Sequence, residues 1–411
     1  MIPWLKKNWG AGVCALVTLL SAVAVAVRPV GEHFIFPTES FRWLIAGKIP
    51  YGVILPRCTG PFLYSPSAAL FFFSWFSLSP EALFQSLYLW LSIAFFAFGL
   101  FRFSRALATR LGFDWTAHPL RNLIWLMLTS ELAGAVTGVK FEISLIGGCL
   151  LAFAYWLEGR DLRAGLWLAI TANFKLQALP VALLGMAVLA RRRTGAKFFT
   201  AFAAGSFVMW ILPLPFLGGW THFMEVNRAW MAGIELQVST QWMKTVYQHL
   251  YGFMERAWGI SLSLAEARRI MTMVAALLGA AVFLRPTDGR ESREATANGL
   301  LFALGLGCLY VVAFSPLSQS NAYLWYTPSL LALVYFADRA KVAVRAQTVT
   351  LLAAYFFISL AYSDLVPRAW YRHLYDLRIK AFVTTLLLVV LVGMGLFTAS
   401  RSSSLRASRS F

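Results

Sequence analysis

Long apolar runs recur along the whole chain and are separated by short polar segments, and this pattern restricts the possible folds more than any other feature. An α-helix needs about 20 consecutive apolar residues to cross a bilayer. The clearest runs occupy residues 11–27, 83–101, 123–137, 141–157, 176–190, 198–217, 270–284, 300–314, 324–336, 348–362 and 383–397. We therefore predict an all-α, polytopic integral membrane protein with about 12 transmembrane helices.

The composition excludes the main soluble classes. Hydrophobic residues make up 59% of the 411 residues and charged residues only 13%, whereas a soluble domain carries about 25% charged residues. The formal net charge is +18, which in a soluble protein would indicate nucleic acid. Here the basic residues lie in short bursts between apolar runs, as is typical of cytoplasmic loops beside anionic headgroups. The lipid bilayer, and no nucleic acid, is the predicted partner.

The basic bursts indicate which helix ends face the cytoplasm. They occupy residues 6–7, 102–110, 160–163, 191–197, 285–293, 339–345 and 401–409. Placing all of them in the cytoplasm puts both termini inside. It directs outward the loops at residues 28–66, 218–265, 315–323 and 363–380. Residues 1–400 then form one transmembrane domain, and the Ser- and Arg-rich residues 401–411 form a disordered, basic cytoplasmic tail.

Two weaker apolar segments leave two schemes open. In the first, residues 67–77 do not cross the membrane, and residues 165–174 form the short half of a hairpin with Lys175 near its outer tip. In the second, residues 67–77 are a short span and residues 165–190 are one long helix kinked at Pro180. The second scheme puts two basic bursts on the wrong side. Both schemes give about 12 crossings and keep the large loops outside.

The first outer loop, residues 28–66, is unlike the rest of the chain. Between aromatic and turn-forming residues it carries the charged or titratable residues Glu32, His33, Glu39, Arg42, Lys48 and Arg57. Its apolar residues favour short interfacial helices packed on the bundle over a disordered loop. We predict a helix over residues 38–46, with Pro37 or Thr38 at its start and Gly47 just past its end. A charged loop packed against a bundle of transmembrane helices is a typical location for catalytic residues.

Several short motifs follow one another in an order that is typical of one family. The matching elements are Gly47-x-x-x-Tyr51, Phe62-x-Tyr64-x-Pro66, an apolar run opened by Gly138, Lys175 before Pro180, and Ser315-Pro316-Leu317-Ser318. Together they resemble the polyprenol-phosphate-dependent glycosyltransferases of family 87, within the GT-C superfamily. The resemblance implies a GT-C-like fold and the transfer of a sugar from a polyprenyl-phosphate carrier.

The chain departs from the family pattern in three places. The family has Asp where the alignment falls on Glu32 or His33, and it has Gln where Val139 follows Gly138. After the Ser-Pro-x-Ser turn the family has Trp and a His pair, and this chain has Gln319, Asn321 and Ala322. A GT-C scaffold that has lost its activity is therefore kept as an alternative.

An inverting sugar transfer needs a base that takes the proton from the acceptor hydroxyl. A carboxylate in the first outer loop suits this role, so the catalytic candidates are Glu32 and, behind it, His33 and Glu39. The alternative for both acids is a place at the membrane surface beside basic residues. No second His or Asp lies near His33, and the sequence predicts no metal site.

Lys175 lies in an apolar string, where a Lys at a helix centre costs about 2.5–3.5 kcal/mol. It can bind phosphate, reach the headgroups or pair with an acid, and these alternatives stay open. We assign the donor phosphate to Lys175 and Arg57. We assign the substrate pocket to Tyr51, Tyr64, Gln319 and Asn321.

Other ionisable residues support weaker predictions. Lys140 and Glu142 are expected at the membrane interface, and Glu131, the deepest acid, is expected to pair with a basic residue of the bundle. In the loop at residues 218–265, aromatic residues such as Trp230 stand near amide, acid and His249 side chains. They suit a sugar or glycan acceptor, or an interfacial aromatic belt.

The leading hypothesis is a membrane glycosyltransferase at the outer face of a bacterial inner membrane. It would move a hexose or pentose, mannose-like in kind, from a polyprenyl-phosphate carrier to an envelope glycan or lipid acceptor. The carrier is a substrate, and the sequence indicates no cofactor. The rival hypothesis is a transporter or flippase of a lipid-linked substrate. Transporters favour inverted repeats, and the sequence has no evident repeat.

Overall fold

Helices form nearly all of the regular structure in the computed structural model of the protein. It describes residues 7–28, 30, 32–58, 62–72, 80–191, 195–243, 248–285, 293–315, 324–360 and 367–407. In chain order the helices are α1 (Trp9–Ala26), α2 (Glu32–Ile45), α3 (Glu81–Leu111), α4 (Arg121–Thr137), α5 (Glu142–Leu157), α6 (Asp161–Phe174), α7 (Leu179–Arg191), α8 (Ala196–Ile211), α9 (Trp220–Gln241), α10 (Leu250–Trp258), α11 (Leu264–Leu284), α12 (Arg293–Phe314), α13 (Thr327–Arg339), α14 (Val344–Ile358), α15 (Arg368–Leu377) and α16 (Ile379–Ala407). The predicted all-α class is confirmed.

Six helical segments are long and apolar enough to cross a membrane: Trp9–Ala26, Glu81–Leu111, Ala196–Phe216, Leu264–Leu284, Arg293–Phe314 and Ile379–Ala399. Shorter apolar helices lie at Glu142–Leu157, Leu176–Ala190 and Val344–Ile358. The prediction of a polytopic membrane protein is confirmed. Among the long segments, α12 is 89% buried while α11 is 17% buried, so α12 is the central helix and α11 presents most of its apolar surface to lipid.

Small residues let the helices approach one another closely. A Cβ on Gly147 of α5 would lie 2.9 Å from the Phe96 Cα atom of α3, and Gly99 of α3 packs against the Gly147 backbone. On α12, Gly305 meets Ala332 of α13, and the Ser329 hydroxyl donates to the Gly305 carbonyl at 2.9 Å. Close backbone contact replaces the hydrophobic effect as the source of helix association in lipid.

The helix predicted at residues 38–46 begins six residues earlier, at Glu32, and includes Pro37. Proline was interpreted as a start signal, but the helix continues through it. The Thr38 hydroxyl donates to the Phe34 carbonyl at 3.1 Å, and the Ser40 hydroxyl donates to the Phe36 carbonyl at 2.7 Å. These hydroxyls supply additional donors to backbone carbonyls near the turn where proline removes a backbone donor.

The predicted kink of residues 165–190 is a complete break, and it lies at Lys175 and not at Pro180. Lys175 has extended backbone (φ −147°, ψ 119°), and a 3₁₀ turn over Leu176–Ala178 leads into α7. Pro180 stands in the first turn of α7, where a missing N–H removes no helical bond. Helix α6 packs on α5 and α8, whereas α7 packs mainly on α12. The two halves therefore do not form the closely packed hairpin of the first scheme.

The C-terminal tail differs from its prediction, and the weak apolar segment at residues 67–77 is described only in part. Helix α16 continues to Ala407, so the tail predicted to be disordered from residue 401 is helical over most of its length. It contains no Gly or Pro that would end the helix. Residues Ala68–Phe72 form a π-helical turn, and residues 73–79 lie outside the described residues.

We predict that Gly147→Leu separates α3 from α5, because no side chain fits between them. An overpacked core costs about 1–3 kcal/mol, so the melting temperature of the purified protein in detergent should fall clearly. Gly279→Leu on α11 is the matched control, because a Cβ there meets nothing within 4 Å. Equal melting temperatures for the two variants would contradict this account of the packing.

Candidate functional site

Three of the sequence motifs meet at one place in the fold. The ring of Tyr64 lies 5.0 Å from the ring of Phe141 and 5.6 Å from that of Phe62, measured between centroids. The Lys175 Nζ atom lies 5.8 Å from the centre of the Tyr64 ring. The first outer loop, the start of α5 and the break between α6 and α7 therefore share a single site.

An ion pair lies at the centre of this site. Lys175 Nζ donates to Glu142 Oε1, and the Lys175 side chain is 26% exposed while that of Glu142 is 5% exposed. Glu142 Oε2 is buried and accepts no hydrogen bond. An unpartnered buried carboxylate oxygen costs free energy. The pair therefore has unused acceptor capacity inside the protein.

A second cation stands beside this pair. Lys140 is also buried, with 7% of its surface exposed, and its charge acts on the Glu142 carboxylate. Lys140 and Glu142 were predicted at the membrane interface, and the structure shows both of them buried among the helices. Apolar periodicity does not report the depth of a helix end. The sequence signal that could have identified them is two opposite charges directly after Gly138, between two apolar runs.

The second outer loop holds the first outer loop in place. The Trp230 Nε1–H of α9 donates to the Leu63 carbonyl at 3.1 Å, and Gly233 of the same helix packs against Gly52. From within the first loop, the Tyr51 hydroxyl donates to the Tyr64 carbonyl at 3.1 Å. The buried Tyr51 and Trp230 therefore both hold the backbone of the first outer loop, at the neighbouring residues Tyr64 and Leu63.

Two acids and two arginines form a network at the start of α3. Arg57 binds both oxygens of Glu81, at 3.1 and 2.8 Å, from a left-handed backbone with φ 63°. Arg42 donates to Glu39 at 2.8 Å and to Glu81 at 3.2 Å. The hydrogen bond to Glu81 raises the pKa of Arg57 above its ordinary value. The network ties the loop to α3, and it engages both Arg57 and Glu39.

The remaining predicted site residues are only partly described. Glu32 and His33 lie in the first turn of α2, and their side chains are outside the description. Gln319 and Asn321 lie outside the described residues. Their assigned roles stay predictions. Within the part of the chain that the structure describes, no three His, Cys, Asp or Glu residues are grouped to hold a metal.

His249 has a structural role at the start of α10. Its Nε2–H donates to the Trp242 carbonyl at 2.5 Å, and its Nδ1 accepts from the Gly252 N–H at 3.1 Å, which caps α10. Burial lowers the pKa of His249 to about 4. The fully buried Arg378 guanidinium packs on Gly252, where a side chain would collide with it. Both ring nitrogens of His249 are occupied, so it is unsuited to binding an acceptor sugar.

Comparison with known proteins identifies one family. The profile of glycosyltransferase family 87 matches residues 62–316, which is more than half of the chain. No curated protein matches the sequence significantly. Among solved structures, the crystal structure of ArnT from Cupriavidus metallidurans bound to undecaprenyl phosphate is similar over 98% of this chain and 79% of that chain. The identity is 15% and the TM-score 0.45, and similarity at that level does not transfer a ligand.

We predict that His249 makes the protein sensitive to acid. The folded-state pKa of about 4 lies below the unfolded value of 6.5, so the unfolded chain binds the proton first as the pH falls. Stability present above pH 6.5 is therefore lost progressively towards pH 4, by about 3 kcal/mol in all.

Melting temperatures measured from pH 7 to pH 4.5 check this prediction. His249→Gln should lose less stability over that range than the unchanged protein, because Gln does not titrate. His373→Gln, on the exposed face of α15, is the matched control and should keep the original pH dependence. The same acid loss in His249→Gln would assign the sensitivity to another group.

Proposed function

This chain belongs to glycosyltransferase family 87, and from that premise we propose that it transfers a sugar from a polyprenyl-phosphate carrier at the outer face of a bacterial inner membrane. The sugar would be a hexose or pentose of mannose-like kind, and the acceptor an envelope glycan or lipid. The observation that carries the proposal is the position of Lys175. It is a cation at a helix break, inside the matched part of the chain and beside Tyr64.

Lys175 has the features of a phosphate ligand. The 3₁₀ turn over Leu176–Ala178 and then α7 begin immediately after it, so the positive ends of their dipoles lie next to its charge. Helix N-termini and lysine side chains both favour anions. The charge is partly exposed, and the neighbouring Leu176 is 39% exposed. A lipid phosphate in the bilayer could therefore approach Lys175 from the side of the bundle.

The base has to come from another element. In an inverting displacement, the base acts on the face of the sugar opposite the departing phosphate. With the phosphate at Lys175, the acids of α2 in the first outer loop are the candidates. Glu32 is the first of them, followed by His33 and Glu39. Glu39 already accepts a charged hydrogen bond from Arg42, which favours Glu32 over it.

We predict that Glu32→Gln abolishes sugar transfer and leaves the melting temperature unchanged. Gln has nearly the same shape but cannot take the acceptor proton, and general-base catalysis contributes about 10²–10⁴-fold. The measurement is transfer of radiolabelled mannose from polyprenyl-phosphate mannose in membranes that contain the protein. His33→Gln and Glu39→Gln are assayed beside it, and Glu225→Gln on α9 serves as a control acid. Full activity in Glu32→Gln would place the base elsewhere.

We predict that Lys175→Met weakens binding of the lipid donor strongly. Loss of a charged contact to phosphate in a site of low dielectric costs about 2–5 kcal/mol. Binding of undecaprenyl phosphate to the protein in nanodiscs measures the effect directly and does not depend on knowing the sugar. Lys197→Met, an exposed lysine in the first turn of α8, is the matched control. If Lys175→Met binds undecaprenyl phosphate as tightly as the unchanged protein, Lys175 does not bind the phosphate.

A further inference from the structure

Three arginines surround one tyrosine at the end of the bundle opposite Lys175. The guanidinium carbon atoms of Arg102, Arg160 and Arg163 lie 5.4, 6.0 and 5.7 Å from the centre of the Tyr155 ring. Arg102 belongs to α3 and Tyr155 to α5, while the other two arginines stand at the start of α6. Each cation is attracted to the ring, but the three cations repel one another. This arginine cluster therefore favours an anion beside it.

Two acids lie near the arginine cluster, and neither engages Arg163. Glu158 accepts from Arg102 at 2.7 and 3.0 Å and lies 3.3 Å from Arg160. The charge of a lysine on α8 acts on the other acid, Asp161. Arg163 is exposed and belongs to none of the ion pairs formed by the described residues. It is thus an accessible guanidinium group with its donors available to a ligand.

An apolar groove leads away from the arginine cluster along α5. Helix α5 packs on both α3 and α6, which make little contact with each other. All residues of α5 are buried except Ser144 and Tyr155, which lie on one face about three turns apart. Between them, a Cβ on Gly148 would lie 3.7 Å from Phe95 Cε1 of α3, and the Phe95 ring lies 5.4 Å from that of Trp167 of α6. The two half-buried rings line the groove between α3 and α6.

We propose that this groove binds an anionic phospholipid, with its phosphate at the arginine cluster and an acyl chain along the rings of Phe95 and Trp167. A guanidinium group matches the oxygens of a phosphate with paired donors. Basic pockets between transmembrane helices are typical sites for anionic headgroups. The arginines also belong to bursts that the sequence predicts to face the cytoplasm, where the leaflet is anionic.

The phospholipid site is separate from the proposed donor site. Helix α6 has 14 residues and lies between the arginine cluster at its start and Lys175 just past its end. That length corresponds to about 20 Å along the helix axis. The two phosphates would therefore lie at opposite ends of the bundle, in opposite leaflets. The inference goes beyond the proposed function and does not depend on the transfer of a sugar.

The test measures the binding of phosphatidylglycerol to the purified protein in detergent by native mass spectrometry. Phosphatidylcholine with the same acyl chains is titrated in parallel and should bind more weakly, because its choline group is repelled by the arginines. Arg163→Gln should weaken phosphatidylglycerol binding about tenfold, since it removes a charged contact to phosphate. Arg345→Gln removes an exposed arginine of α14, and this matched control should bind phosphatidylglycerol as the unchanged protein does.

Folding is checked independently of binding. Arg163 is exposed and unpaired among the described residues, so Arg163→Gln should keep the melting temperature of the lipid-free protein. Arg160→Gln is the second variant, and its side chain is 50% exposed. It should also weaken phosphatidylglycerol binding. If both variants bind phosphatidylglycerol as tightly as the unchanged protein, the arginine cluster is not the headgroup site.

Competition experiments identify the ligand that the groove accepts. Inorganic phosphate should not displace phosphatidylglycerol, because it lacks the acyl chain, and displacement would show a site for free phosphate. Equal binding of phosphatidylcholine would show that the groove does not recognise the anionic headgroup. Lys175→Met should leave phosphatidylglycerol binding unchanged. A loss of binding in that variant would place the phospholipid at the donor site and overturn the assignment of a second site.

Discussion

A chain inside lipid has to pair its backbone N–H and C=O groups within its own helices, because no water is present to pair them. Nearly all of the described bundle obeys this constraint. Two interruptions of regular helix lie beside Glu142, and their backbone N–H groups are still paired within the chain. Lys175 has extended backbone between α6 and α7, and Val139 has left-handed backbone just before α5. At each interruption a lysine lies at or next to the irregular residue, and the charges of both lysines act on the Glu142 carboxylate.

Two ion pairs among the described residues are built differently. Glu131 on α4 faces Lys380 at 3.6 Å and accepts from the Ser359 hydroxyl at 2.9 Å, so a neutral donor completes its surroundings. Glu142 has a second cation nearby and an oxygen without a hydrogen bond. The first arrangement joins α4, α14 and α16 and is suited to holding helices together. The second joins the start of α5 to the break between α6 and α7, and one of its carboxylate oxygens has no hydrogen bond.

Much of the fold could be predicted from the sequence, since apolar length alone identifies helices in a membrane protein. The sequence also predicted a partner for Glu131 and the glycine that follows α2. It could not predict that Glu142 pairs with Lys175, because the two residues are 33 positions apart and periodicity carries no information on contacts between helices. It did not predict that Lys140 and Glu142 are buried among the helices, for a related reason. A charged pair at a helix end has the same sequence pattern whether that end lies in headgroups or in protein.

The match to glycosyltransferase family 87 divides the proposed site into two halves. The matched residues, 62–316, include Tyr64, Glu142 and Lys175, and this is the half to which we assign the phosphate. The candidate bases on α2 precede the matched region, and they replace the Asp of the family pattern. A phosphate half without a base would bind the lipid carrier and transfer nothing, which is the behaviour of a scaffold that has lost its activity. Under the proposed roles, donor binding and sugar transfer are separable, and only transfer would depend on Glu32.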